Sequence, residues 1–354
     1  MGLKFLDLSG YGHCGKGAFT DLFREFNCTN VPNSYFEFDF LRVPGGLIDL
    51  SHAIIDNWSP FRSDNAIKRF NRLVKRSSTV PFFQNPYSSY ISNGFNYHKY
   101  FNGSFIDISN EYIQELIAYQ ASGEWIHTEI HPFDYTIQRV LKKTGLKKSF
   151  PEKYFGVNSN GFFDHTNKYL NKLFSSANNN SHINILHNCI EPYNPQRGLD
   201  LFENCKMIIV RRDPRDIYLS TKVDLKSELF ILDQENENFL KKYKKDSFKW
   251  KQEIVLSNNI DLFINRQKLL YLNSKNNKSD NRVLSVFYED LIINYDETLK
   301  KIYDFCELSL ENHNNKGKFF RPNDSIKNIK LWKKHKNSDV DKIYSELNEL
   351  CYNK

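Results

Sequence analysis

The sequence predicts an α/β fold, a central parallel β-sheet flanked by helices. Three observations carry this expectation. Short apolar runs at residues 3–9, 207–210 and 283–287 have the length and composition of buried strands. Each is followed by a helical pattern, and strands alternating with helices imply a parallel sheet with ligands at the C-terminal strand ends. The first two runs also break into loops suited to holding a phosphate, Gly10–Gly17 and Arg211–Ser220.

Taken in order, residues 3–9 form a strand and a helix runs from about Lys16 to Phe26. Asn27–Ser34 is a turn-rich connection containing Pro32. Tyr35–Phe40 alternates aromatic and acidic residues, the period-two sign of a strand with one polar face. From about 50 to 180 the pattern is a largely helical insertion, with helices near 65–76, 108–121, 134–143 and 161–174. Pro81–Gly103 and Ser175–Ser181 read as surface insertions. Strands resume at His182–Leu186, 207–210 and 283–287, with helices starting near Pro214 and Asp290. A long amphipathic stretch, roughly 238–273, lies between those last two strands. The 354 residues are expected to form one domain, with the insertion shaping an acceptor site.

Composition narrows the function classes. A formal charge of +7 favours an anionic nucleotide or an acidic glycan, without the basic stripe and spaced aromatics of a nucleic-acid binder. The run Lys241–Lys245 reads as a solvated helix face. The six cysteines show no Cys-x-x-Cys spacing and are expected to be reduced, buried thiols. No apolar stretch reaches membrane-spanning length, and the N-terminus enters a strand with no room for a signal peptide. A cytoplasmic location is the expectation.

Gly10-Tyr-Gly12-His13-Cys14-Gly15-Lys16-Gly17 satisfies the spacing Gly-x-x-x-x-Gly-Lys. Glycines let successive backbone N–H groups turn toward one anion, the next helix offers its positive end, and Lys16 adds a mobile charge. The simpler alternative is a glycine-rich turn between strand and helix. Gly17 stands where a nucleoside triphosphatase places the Ser or Thr that holds Mg²⁺, so the loop suits chemistry without a metal. His13 and Cys14 lack nearby partners and make a poor metal pair.

Arg211-Arg212-Asp-Pro-Arg-Asp-Ile-Tyr-Leu-Ser220 follows a strand and opens a helix at Pro214, a favoured first helical residue. Arg212 and Ser220 could converge on a phosphate through charge-assisted hydrogen bonds. The plain alternative is Arg–Asp pairing at a helix start. Two phosphate sites about two hundred residues apart suggest one nucleotide held at both ends.

Here the sequence resembles the sulfotransferases that use 3′-phosphoadenylyl sulfate (PAPS). Arg212-Asp-Pro-Arg-Asp followed by Ser220 is similar to the family's 3′-phosphate motif. Val286-Phe-Tyr-Glu-Asp-Leu291, with Thr298–Ile302 and Phe305, resembles its Tyr-Glu-Asp-Leu segment and following helix. Phe320–Lys333, ending in Trp-Lys, resembles the C-terminal loop that closes over the nucleotide. The first loop departs from the common Ser-Gly-Thr-Thr form, and the family's Arg-Lys-Gly form is not present at Arg321. The resemblance implies a P-loop-like fold and transfer of a sulfuryl group from PAPS to an acceptor hydroxyl, leaving adenosine 3′,5′-bisphosphate. Gly12, His13, Cys14, Gly15, Lys16 and Gly17 then hold the 5′-phosphosulfate, Lys16 offsets charge on the leaving oxygen, and Arg212, Ser220 and Arg321 hold the 3′-phosphate.

A hydroxyl acceptor needs a base. Glu37 lies some twenty residues past the loop, where glycan-modifying members of the family place a catalytic glutamate; otherwise it belongs to a polar strand face. His187 ends the strand at Leu186 and resembles the position of the family's Lys-Thr-His segment, although here the text is His-Asn-Cys-Ile-Glu. His127, Glu129 and His131 share one face of an extended run and read as a hydrogen-bonded surface cluster ahead of a metal or substrate site. A carbohydrate or glycoconjugate is the expected acceptor, because the insertion is rich in aromatics that could stack on sugars; the alternatives are that these aromatics are simply core and that the acceptor is a lipid or other small hydroxylated molecule. The competing readings are a Mg²⁺-dependent kinase or NTPase, which Gly17 disfavours, and a non-catalytic anion or nucleic-acid binder.

Overall fold

The computed structural model describes residues 4–32, 36–78, 96–123, 132–146, 152–177, 183–223, 260–274, 280–335 and 337–353. The sheet strands are β1 (Phe5–Gly10), β2 (Thr29–Asn30), β3 (Ile117–Gly123), β4 (Glu152–Val157), β5 (Ile183–His187), β6 (Cys205–Arg211) and β7 (Val283–Phe287). Five of them form the central sheet in the order β2-β5-β1-β6-β7, and β3 pairs with β4. β1 runs parallel to β6, and β6 parallel to β7. The chain divides into two compact units.

The first unit comprises Met1–Ser34, Glu191–Gln196 and Asn204–Lys354. Leu6, Leu8, Met207, Ile208 and Val210 are all buried, as central parallel strands covered on both faces require. Register decides what these strands position. Gly10 lies opposite Val210, and Arg211 opposite Phe287. The loops after β1, β6 and β7 therefore leave the same end of the sheet, although they are far apart in sequence. Three helices follow them directly: Lys16–Phe23, Pro214–Val223 and Tyr288–Ile293.

The second unit comprises Tyr35–Ile190 and Arg197–Glu203. Among the described residues its aromatics are mostly core. Phe38, Phe40, Phe70, Phe101 and Phe105 are all within 1% of full burial, and edge-to-face pairs such as Phe40–Phe70 (4.9 Å) and Tyr97–Phe105 (5.3 Å) lock them together. Trp58, Phe61 and Tyr119 are the exceptions that face outward.

Most expected elements are present, with corrections. Tyr35–Phe40 is not a sheet strand: Glu37 makes an isolated bridge and a turn begins at Asp39, while Tyr35 lies outside the described residues. The alternation is real, since Phe36, Phe38 and Phe40 are buried and Glu37 and Asp39 are not, but it packs an irregular segment against helices. The helix expected over 108–121 spans Phe105–Leu116 and gives way to β3, so the insertion carries an antiparallel strand pair, β3 with β4, with the helix Pro132–Lys143 between the two in sequence. Only Ile117 and Tyr119 of this run are strand formers, so it is cross-strand pairing with β4, not local preference, that makes it a strand. The expected 161–174 helix continues to Ala177. Of the 238–273 stretch, Ile260–Ser274 is a helix and the rest lies outside the described residues, as do Lys241–Lys245 and His127, Glu129 and His131.

Candidate active site

The loop after β1 owes its path to its glycines. Gly12, His13 and Gly15 take positive φ of 80°, 46° and 85°. A Cβ on Gly15 would lie 2.4 Å from the Tyr288 ring, so only glycine lets the loop settle on the residue that follows β7. Gly15 caps the Lys16–Phe23 helix without a side-chain hydrogen bond, and the helix has no acidic residue in its first turn. An anion is the natural complement of those helix-end N–H groups.

Arg212 closes the loop from β6. Its Nη1 donates to the His13 carbonyl (2.9 Å) and to Ser220 Oγ (3.2 Å), and its Nη2 donates to the Asn328 carbonyl (2.7 Å). Its guanidinium stands 5.3 Å over the Tyr288 ring. The buried Nε–H of Arg212 has no hydrogen-bond partner. A buried orphan donor on a cation costs about 1–3 kcal/mol and is satisfied by an incoming anion. Cys14 is buried beside this group; burial pushes its thiol up, against the opposing pull of Lys16 and then Arg212. The same influence of both cations on one thiol brings Lys16 and Arg212 into one electrostatic neighbourhood.

A small cavity opens at this point, lined among others by Tyr11, Cys14, Arg212, Ile217, Tyr271 and Leu350. Its lining mixes aromatic rings, aliphatic side chains and an arginine.

The remaining residues of the arginine motif do other work. Asp213 receives both Arg215 Nε (3.0 Å) and Nη2 (2.6 Å), and its own N–H donates to Glu289 Oε1 (2.9 Å). Arg215 stacks 3.9 Å from the Trp332 ring. Asp216 accepts from the Lys330 N–H (2.6 Å) and the Trp332 N–H (3.3 Å). Burial, then Asp213, raise the Asp216 carboxyl to about 6. Burial, with Asp213 and Asp216 adding to it, raises Glu289 to about 7. The sequence reading missed these roles, although the Arg-Asp-Pro-Arg-Asp spacing at a helix start was their visible signal.

Arg321 is exposed and its Nε donates to the Gly317 carbonyl (2.8 Å); the group from this segment that reaches Arg212 is the Asn328 carbonyl. Within the second unit, Glu37 and the end of β5 come together. Asn188 Nδ2 donates to Glu37 Oε1 (2.7 Å), Arg42 ion-pairs with Oε2 (3.5 Å), and the Glu37 carbonyl accepts from Tyr97 OH (3.1 Å). His187, next to Asn188, is buried. Asn188 and Arg42 carried no signal in the sequence that separated them from ordinary polar residues.

Residues 177–342 match the family model of the sulfotransferase domain. This chain carries a sulfotransferase domain. The match holds Arg212, Ser220, Tyr288 and Trp332, and it ends well short of the glycine loop on its N-terminal side. The enzyme class expected from the residues, sulfotransferase, stands with it. Among solved structures, the chain is similar to the sulfotransferase domain of the Synechococcus PCC 7002 olefin synthase (12% identity, TM-score 0.41, 97% of this chain and 93% of that one). It is also similar to the sulfotransferase domain of the curacin biosynthetic pathway (12%, 0.41, 98% and 98%). A third likeness is to the sulfotransferase STF1 of Mycobacterium tuberculosis H37Rv (10%, 0.38, 99% and 78%). No curated protein matches the chain.

Proposed function

We propose that this sulfotransferase takes PAPS as donor and a hydroxyl of a carbohydrate or glycoconjugate as acceptor. The observation that carries the donor reading is the orphan Nε–H of Arg212, on a guanidinium that already bridges the glycine loop and Ser220. Gly12–Gly17 hold the 5′-phosphosulfate with backbone N–H groups. Arg212 and Ser220 hold the 3′-phosphate, with Arg321 available from the C-terminal segment. Tyr11 and Tyr271 supply ring faces for the adenine beside them.

The donor supplies an activated sulfuryl group. Lys16, the first residue of its helix, offsets charge on the leaving phosphate oxygen. Glu37 takes the acceptor proton, its carboxylate oriented by Asn188 and Arg42; His187 is the alternative base. Gly17 offers no side-chain oxygen to Mg²⁺, so the reaction proceeds without one. The exposed rings of Trp58, Phe61 and Tyr119 are the faces on which a sugar would stack. Six buried cysteines outside any disulfide suit a reducing compartment, and we place the enzyme in the cytoplasm. No described helix is long and apolar enough to cross a membrane.

The test is transfer of labelled sulfate from PAPS to a panel of oligosaccharides and simple alcohols, with and without EDTA. EDTA-resistant labelling of oligosaccharides is expected. Transfer that EDTA abolishes, or labelling of the simple alcohols alone, contradicts the metal-free or the glycan part respectively.

A further inference from the structure

The C-terminal segment around Asn328–Trp332 touches Arg212 at one place, through the Asn328 carbonyl. What holds that segment down is not Arg212 but the next turn of the same motif. Asp216, fully buried, spends both carboxylate oxygens on the backbone of the segment, Oδ2 on the Lys330 N–H and Oδ1 on the Trp332 N–H. Between them Lys330 sits at φ 53°, a left-handed conformation that a non-glycine residue keeps only where its surroundings impose it. The Trp332 ring lies on Arg215, which Asp213 clamps in turn.

We infer that Asp216 is a positioning residue for the donor: it ties the 328–332 strap to the motif helix so that the Asn328 carbonyl fixes the Arg212 guanidinium in its phosphate-holding orientation. Asp216 offers both oxygens to the strap backbone and acts on the donor through Arg212. With Nη2 anchored by the strap and Nη1 by His13 and Ser220, the fork is pre-organised and its buried Nε–H stays without a partner. This role rests on the donor reading above.

The tether depends on an ionised carboxylate, because a protonated oxygen no longer accepts. The charged and titratable groups around Asp216 are Arg212, Asp213 and Arg215 on its own stretch, Glu289 on the helix after β7, and Cys351 on the C-terminal tail. Burial first, and then Asp213, push against its ionisation, while Arg212 and the Trp332 and Lys330 N–H groups favour it, which leaves Asp216 near 6.

The experiment compares the wild-type chain with Asp216→Asn in donor KM, kcat at saturating donor, and tryptic cleavage at Lys327 and Lys333. An asparagine accepts one of the two strap N–H groups and opposes the other. Donor KM should rise about tenfold with kcat unchanged, and the strap should be cut faster. Below pH 6 the wild-type KM should climb more steeply than that of the variant; the phosphate titration of the donor, near about 6, is common to both. Should Asp216→Asn fail to fold, Trp332→Ala loosens the same strap from a half-buried position and should give the same KM rise and faster cleavage. Cleavage equal to wild type overturns the tether. Faster cleavage with unchanged KM, or a fall in kcat alone, overturns the positioning role. If the wild type binds no 3′-phosphorylated nucleotide, the donor reading fails and the positioning role with it, while the cleavage rates still decide the tether.

Discussion

At the scale of single residues, the proposed donor site divides into groups proposed to hold the ligand and groups that hold those groups still. Arg212 belongs to the first class because its Nε–H is buried without a partner, and Asp213 to the second because Arg215, Glu289 and the Tyr352 N–H consume it. The base is the residue-scale question that kinetics answers. Glu37→Gln keeps the shape and one acceptor for Asn188 but cannot take a proton. We expect kcat to fall about 10²- to 10³-fold with donor KM unchanged, within the usual worth of a general base. His187→Gln should lower kcat less. The reverse ranking in steady-state rates would move the role to His187. Arg212, Ser220 and the glycines were legible because few other chemistries need those types at that spacing. Asn188 and Asn328 were not, since one asparagine donates through its side chain and the other accepts through its backbone, which any residue could do.

At the scale of elements, three strand ends do the assembling. The register Gly10–Val210 and Arg211–Phe287 brings the glycine loop, the arginine motif and Tyr288 to one edge. The strands themselves were readable from apolar runs, whereas their register was not, because local pattern does not encode which strand lies beside which. The missed strand pair has the same origin: Ile117–Gly123 becomes a strand through β4, which lies beyond an intervening helix in sequence. The elements also share a buried cost. Glu289 packs under the arginine motif with its carboxyl raised to about 7, and its Oε2 has no partner. A carboxyl raised above its ordinary 4.5 adds stability that is complete below that value and is lost as pH rises through about 7. Melting of the wild type should therefore fall between pH 5 and 8 more than that of Glu289→Gln, which stays neutral throughout. Parallel melting curves for the two proteins over that range, recorded by circular dichroism, would refute this.

At the scale of the molecule, the first unit contains the glycine loop, the arginine motif and the strap that reaches it, assembled from both ends of the chain. The second unit is an aromatic-cored body whose outward rings are few among the described residues. The sulfotransferase family match covers the arginine motif and the strap, and the glycine loop stands outside it, tied in by Arg212 and Tyr288. That tie is where the account is most exposed. Titration calorimetry with adenosine 3′,5′-bisphosphate and with ADP, on the wild type and on Arg212→Ala, reads it directly. The account predicts that the bisphosphate binds the wild type and ADP scarcely does, and that Arg212→Ala loses about ten- to a hundred-fold in bisphosphate affinity. Equal binding of both nucleotides, or a bisphosphate affinity that ignores Arg212, would contradict it.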